Sequence, residues 1–333
     1  MSKLFNGQVY KIHSDFYYVN SDNIIYECKI REVLKKQDKK IFAGDFVDVE
    51  NGYITNIHAR KNFIPRPAAA NIDQVVIVSA VREPELDFKQ LDRYIAFAEY
   101  YNLDIKLCFN KNDLSSDDSL IEKVFSIYEP LGYEIVFTSA LEGFEIDAFA
   151  KIMDGKTSVL CGQSGVGKSS LINSLNPEFE LKTKNVSEKT QRGTHTTRHC
   201  EIMKISDRIK IIDTPGFSNL KFDFLMPQDV YKLFREFRPY QNCCKYQNCL
   251  HIHEDGCKII QDKEKFADER YQSYIEFVKE ANEFKEKIKY QGNKTETKYK
   301  QNFNKTAVKI SANKRRLSRK TLKQDLYKEL EDE

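Results

Sequence analysis

The chain has 333 residues, 41% of them hydrophobic and 31% charged, which at about 150 residues per domain divides into two or three domains. No run approaches the ~20 apolar residues that span a bilayer; the longest, around Val75 to Val81, is strand-sized, so no membrane association is expected. The net charge of +3 is uneven, because residues 285–323 hold 14 Lys/Arg against Glu286 and Glu296, a local +12 that leaves −9 on the remainder and excludes a general polycation.

The start, Met1-Ser-Lys-Leu-Phe-Asn, lacks the apolar run of a secretory signal, and a soluble cytoplasmic protein is expected. Residues 1–66 read as short strands. Gln8 to Ile12, Phe16 to Val19, Ile24 to Ile30, Phe46 to Val49 and Tyr53 to Ile57 are β-branched and aromatic with partial alternation. Gly7, Asn20 to Asn23, Gly44 and Asn51-Gly52 supply the turns. Five short strands in this length suit an OB-type barrel, although another small antiparallel sheet would give the same pattern. Lys35-Lys36-Gln-Asp-Lys39-Lys40 reads as a basic loop on it.

Pro65-Arg-Pro67 and the alanines that follow mark a boundary. Residues 70–222 then alternate strand and helix. Strands are predicted at Gln74 to Ser79, Ile105 to Phe109, Glu134 to Phe137, Ser158 to Cys161 and Ile209 to Ile212. Helices are predicted over Phe88 to Tyr101 and Leu120 to Tyr128. Such alternation implies a parallel α/β sheet with ligands at the carboxyl ends of its strands. Residues 223–290 read as helical and cysteine-rich, with Asp262 to Lys289 as a helix pair carrying Phe266, Tyr274, Phe277 and Phe284. Residues 291–333 form a polar, basic tail whose composition points to partial disorder.

Gly162-Gln163-Ser164-Gly165-Val166-Gly167-Lys168-Ser169 matches G-x-x-x-x-G-K-[ST] directly after a predicted strand, and Ser170 can open a helix. The glycines let backbone N–H groups turn onto phosphates, helped by the positive end of the helix. Lys168 can neutralise β- and γ-phosphate charge, and Ser169 can ligate Mg²⁺. Asn110-Lys111-Asn112-Asp113 follows another strand. The Asp113 carboxylate can accept from both the ring N–H and the exocyclic amine of guanine, a donor pair that adenine lacks. An ATPase or nucleotide kinase would have no use for Asp113. Thr138-Ser139-Ala140, at the end of a further strand, resembles the loop that backs the base.

In Asp213-Thr-Pro-Gly216, Asp213 can hold Mg²⁺ through water and the Gly216 N–H can meet the γ-phosphate. Between that motif and the phosphate loop lies Arg192-Gly-Thr-His195-Thr196-Thr197-Arg198. Thr196 or Thr197 could complete the Mg²⁺ shell from a switch loop; on chemistry alone a plain polar loop fits equally. Phe217 stands where Ras-like enzymes place a water-orienting glutamine. Slow intrinsic hydrolysis is expected, with His195 as the candidate to orient the water. The base-reading motif precedes the phosphate loop, opposite to the usual order. The same site assembles if the domain is circularly permuted, which close termini make tolerable.

Four of the eight cysteines fall between 243 and 257, together with His251 and His253. Cys244-x4-Cys249-x-His251-x5-Cys257 offers a tetrahedral Cys₃His set suited to one structural Zn²⁺. By position, Cys243 and His253 compete for it. With barrel and metal module beside basic segments such as Lys314-Arg-Arg316 and Arg319-Lys320, RNA is the expected partner, although a charge run alone is better read as a solvated face. A non-enzymatic RNA-binding module with a vestigial nucleotide site is the alternative.

The permuted motif order, the small β domain in front and the cysteine cluster behind resemble the RsgA (YjeQ/YloQ) family of small ribosomal subunit biogenesis GTPases, over roughly residues 1 to 285. The resemblance favours Cys244, Cys249, His251 and Cys257 as the zinc ligands. It implies a monomeric switch that binds GTP and GDP, acts on the small ribosomal subunit and its rRNA, and is stimulated by that subunit.

Overall fold

The first five strands close on themselves. The computed structural model describes residues 4–37, 40–65, 68–179, 200–213, 222 and 225–296, the side chains of Phe179, Asp213 and residues 290–296 excepted. β1 (Leu4–His13), β2 (Phe16–Ser21) and β3 (Ile24–Ile30) form a meander. After the short α1 (Glu32–Lys36) come β4 (Phe46–Glu50) and β5 (Tyr53–Ile57). β1 pairs with β2 and with β4, β2 with β3, β3 in parallel with β5, and β5 with β4. Alternation turns Val9, Val19, Val47, Val49 and Ile54 inward, where all are fully buried. Asn51 and Gly52 both take positive φ, 53° and 78°, as a two-residue hairpin loop requires. Lys35 and Lys36 are not in a loop as expected: they end α1, where cations suit the helix carboxyl end.

At the Pro-rich boundary a two-stranded ribbon, β6 (Phe63–Pro65) with β7 (Ala68–Ala70), leads out of the barrel. It presses on Gly44, where a Cβ would lie 1.9 Å from the Ala70 carbonyl oxygen. The chain then builds β8 (Gln74–Ala80), α2 (Phe88–Tyr100), β9 (Asp104–Asn110), α3 (Ser119–Tyr128), β10 (Glu134–Phe137), α4 (Ile146–Met153) and β11 (Thr157–Cys161). It continues with α5 (Lys168–Leu175), β12 (Glu201–Lys204) and β13 (Lys210–Asp213). The sheet order is β10-β9-β8-β11-β13-β12. All are parallel except β12, which runs antiparallel to β13.

β8 is apolar throughout because both its faces are covered. Val75 and Ile77 pack with α2, and Val76 and Val78 with α4 and α5. From β8 the chain moves outward through β9 and β10, then returns to β11 and turns the other way. The strand order therefore reverses between β8 and β11, and such a reversal opens a ligand crevice at the strand carboxyl ends. β12 also touches the barrel, through the Lys11–Glu201 pairing with β1.

Beyond residue 225, short 3₁₀ turns over Pro227–Leu233 and Arg235–Tyr240 precede α6 (Lys258–Gln261) and α7 (Asp268–Glu296). Phe234, Phe237, Tyr274 and Phe277 form a second, aromatic core. The expected helix pair is instead one helix. Residues 263–265 form a separate 3₁₀ turn, and Tyr271, Tyr274, Phe277, Val278 and Ala281 keep an unbroken three-or-four spacing. α7 also runs past residue 291, where the basic tail was expected to begin; the tail beyond Glu296 lies outside the described residues. No helix among the described residues is long and apolar enough to cross a membrane.

Candidate nucleotide site and metal centre

The phosphate loop leaves β11 at Gly162, and Gly167 hands it to α5 with φ 93°. A Cβ on Gly167 would lie 2.2 Å from Asn110 Nδ2, so side chains are barred there twice, by conformation and by space. Lys168 Nζ donates to the carbonyls of Gly162 and Gln163, both at 2.7 Å. That holds the ammonium inside the curve of the loop. Ser169 and Ser170 occupy the first turn of α5, half-buried; Val166 is buried and Ser164 and Gly165 line the outer turn.

The base-reading loop is tied to this loop through one residue. Asn110, only 1% exposed, donates from Nδ2 to the Val166 carbonyl at 2.9 Å. Its Oδ1 accepts from the Ala140 N–H at 3.1 Å and from Thr138 Oγ1 at 3.2 Å. Lys111 is left-handed (φ 63°), which swings the chain away from the strand, and its ammonium donates to the Glu83 carbonyl. The Asn112 N–H donates to the Thr138 carbonyl at 3.0 Å. Asp113 accepts from Ser139 Oγ at 2.5 Å, which aims the carboxylate. Ser174 of α5 donates to the Ala140 carbonyl at 3.2 Å. Three loops from β9, β10 and β11 thus form one hydrogen-bonded floor for phosphates and base. Thr138 belongs to the loop expected to back the base; Ser174 was not foreseen, because a mid-helix serine carries no motif.

Asp213 closes β13, beside β11 and at the same end of the sheet. His195, Thr196, Thr197, Gly216 and Phe217 lie outside the described residues. Gln163 and Val166 line one small cleft together with Pro84, Asp87, Gln90 and Tyr94, at and just before the start of α2.

The second site lies in the C-terminal core. The ligating atoms of Cys244, Cys249, His251 and Cys257 all fall within 4.8 Å of one another. His251 Nδ1 stands 3.4 Å from Sγ of Cys244 and of Cys257, and those two sulfurs are 3.8 Å apart. A tetrahedral ion with metal–sulfur bonds of ~2.3 Å has sulfur–sulfur edges of ~3.8 Å, so the set fits a metal ion of that size. Burial lowers the His251 pKa, which favours the neutral imidazole that ligates. Glu254 organises the turn: its carboxylate accepts from the N–H groups of Leu250, Ile252 and His253 at 2.7, 3.0 and 3.2 Å. The Tyr271 and Tyr274 hydroxyls donate to the His251 and Leu250 carbonyls at 2.8 and 2.7 Å. Cys243 and His253, the competing positions, are exposed, and the Cys243 thiol turns to the carbonyls of Pro239 and Gln241.

Family models described as RsgA GTPase and RsgA N-terminal domain match residues 57–223 and 6–55. The small ribosomal subunit biogenesis GTPase RsgA of Alkaliphilus metalliredigens is 36% identical over 283 residues, spanning 82% of this chain and 97% of its own. This chain belongs to the RsgA GTPase family. As a member of that GTPase family it is a GTP hydrolase that binds guanine nucleotides. The RsgA of Agathobacter rectalis is 37% identical over 288 residues, 80% of this chain and 95% of its own. The crystal structure of YjeQ from Thermotoga maritima superposes with a TM-score of 0.73 at 31% identity, over 84% of this chain and 99% of that one. YloQ, described as a circularly permuted GTPase, superposes at 0.70 with 29% identity, over 84% and 96%. A model described as 50S ribosome-binding GTPase also matches residues 157–292. The N-terminal barrel, the permuted motif order and the C-terminal cysteine cluster expected from the sequence are all present.

Proposed function

We propose that the chain hydrolyses GTP to GDP and phosphate as a switch in late maturation of the small ribosomal subunit, slowly alone and faster when bound to that subunit. The observation that carries the guanine-nucleotide part is the Asn110 brace, which joins a phosphate loop to an aspartate already aimed by Ser139. The subunit part rests on the names of relatives that this chain matches over almost their whole length.

In this reading the loop amides of Gly162 to Ser170 hold the phosphates and Lys168 offsets charge developing on them. Lys111, Asp113, Ser139 and Ala140 hold the base. Ser169 and Asp213, with Thr196 or Thr197, would hold Mg²⁺, which supplies charge neutralisation when bound. The Gly216 N–H meets the γ-phosphate, and His195 orients the attacking water. Cys244, Cys249, His251 and Cys257 hold one structural Zn²⁺; four protein ligands leave no position for reactive water. The domains are 1–66, 70–222, 223–290 and a basic tail from 291 to 333. The barrel and tail contact rRNA, and the protein works as a cytoplasmic monomer.

The test is GTP turnover alone, with purified small subunits and with purified large subunits. Stimulation by the small subunit only is expected; stimulation by the large subunit only would overturn the assignment of the partner. His195→Ala should lose most of the stimulated rate and little of the intrinsic one.

A further inference from the structure

α2 belongs to two cores at once. Leu91, Ile95 and Ala98 pack on the parallel sheet, whereas Ala96 and Tyr100 pack in the aromatic core around α7. Its polar positions on the α7 side are all engaged with the C-terminal unit. Lys89 pairs with Glu276 at 2.7 Å, and Arg93 grips Glu280 with both outer nitrogens at 2.6 and 2.7 Å. At the centre, Arg270 of α7 donates to Asp92 at 2.6 Å and, through its other edge, to both oxygens of Glu236 at 2.8 and 3.1 Å. Arg270 is 1% and Asp92 0% exposed, and the Tyr128 hydroxyl donates to the same Asp92 oxygen at 2.9 Å.

Pulling Asp92 from Arg270 would leave the buried Asp92 carboxylate without its cation in a low-dielectric interior, while Arg270 stays paired with Glu236, so this contact resists sliding. The C-terminal unit and α2 therefore move together. α2 has 13 residues and is ~20 Å long. In its first turns Asp87, Gln90, Leu91 and Tyr94 line the same small cleft as Gln163 and Val166 of the phosphate loop. A displacement imposed at the metal-bearing unit thus arrives at the phosphate loop through one stiff helix, because packed interfaces shift between discrete arrangements instead of deforming smoothly.

We propose that α2 is the transmission between the metal-bearing unit and the phosphate loop, with Arg270 as the positioning residue that locks the two together. The proposal rests on the guanine-nucleotide reading of the site but not on the identity of the ribosomal partner. By reciprocity, nucleotide bound at the loop must alter the dynamics of α7.

The experiment is hydrogen–deuterium exchange of the full chain with GDP and with a non-hydrolysable GTP analogue, read over residues 271–281. Arg270→Ala removes the lock directly, but its fold is at risk. The rim pair supplies the safer set: Arg93→Glu, Glu280→Arg and the two combined. In the wild type the two nucleotides should differ in α7 exchange by about fivefold or more, the low end of ordinary coupling. Each single reversal should erase that difference while GDP still binds, and the combined swap should restore it. Equal α7 exchange with both nucleotides in the wild type would overturn the proposal. So would a difference unchanged in the single reversals. Failure of the wild-type chain to bind GDP would overturn the nucleotide reading itself, which separates the two failures.

Discussion

Asn110 Nδ2 donates to the Val166 carbonyl across a gap of 56 residues in sequence and 2.9 Å in space. The residue that opens the base-reading motif is therefore the brace of the phosphate loop. Asn110→Ala leaves a carbonyl, an N–H and a hydroxyl without their partner, at about 1–3 kcal/mol. GDP affinity should fall roughly 10- to 100-fold, with secondary structure unchanged. Titration of a fluorescent GDP analogue measures it, and wild-type affinity would refute the brace.

Asp113 is held by Ser139 with its carboxylate free to take two donors from guanine. Asp113→Asn replaces one acceptor oxygen by an NH₂ group. Guanine then meets a donor with a donor, whereas xanthine, with a carbonyl in place of the exocyclic amine, meets it correctly. Competition between GDP and xanthosine diphosphate should reverse in favour of xanthine, by about 10²-fold or more. An unchanged GDP preference would show that the base is read elsewhere.

Lys168 carries the only side-chain charge that the described phosphate loop turns inward. Lys168→Ala should lower single-turnover GTP cleavage by about 10²-fold or more and weaken nucleotide binding as well. Retained cleavage would move the catalytic burden to residues outside the described segments.

The metal site separates ligands from bystanders. His251→Ala and Cys257→Ser should take bound zinc from about one ion per chain to none and lower the thermal midpoint, whereas Cys243→Ser and His253→Ala should keep the ion. GDP binding should survive chelation, because no ligand lies in the nucleotide floor. Metal analysis of the four variants decides it, and loss of metal in Cys243→Ser would reassign the set.

What the sequence made legible is what local spacing encodes. A phosphate loop is built from consecutive backbone amides and a base reader from four consecutive residues, so both are visible without a fold. Residues joined over long separations were not. Asp92 and Arg270 lie 178 residues apart, and nothing in either neighbourhood announces a partner. β12 was missed because four residues ending an untyped polar stretch give no period to read. The choice of Cys244 over the adjacent Cys243 came from family likeness; geometry explains it, since only Cys244 faces His251 and Cys257.

The Lys11–Glu201 pairing, with its 2.7 Å ion pair, has a consequence for anyone dissecting the chain. β12 is the last strand of the doubly wound sheet, and the barrel's β1 pairs with its outer side at Glu201. Removing the barrel to study the catalytic domain alone would uncover the β12 edge at Glu201, and an uncovered edge strand is a template for pairing with another molecule. A fragment beginning at residue 70 should therefore aggregate where the full chain does not. The barrel guards this point of the sheet's edge whatever else it binds.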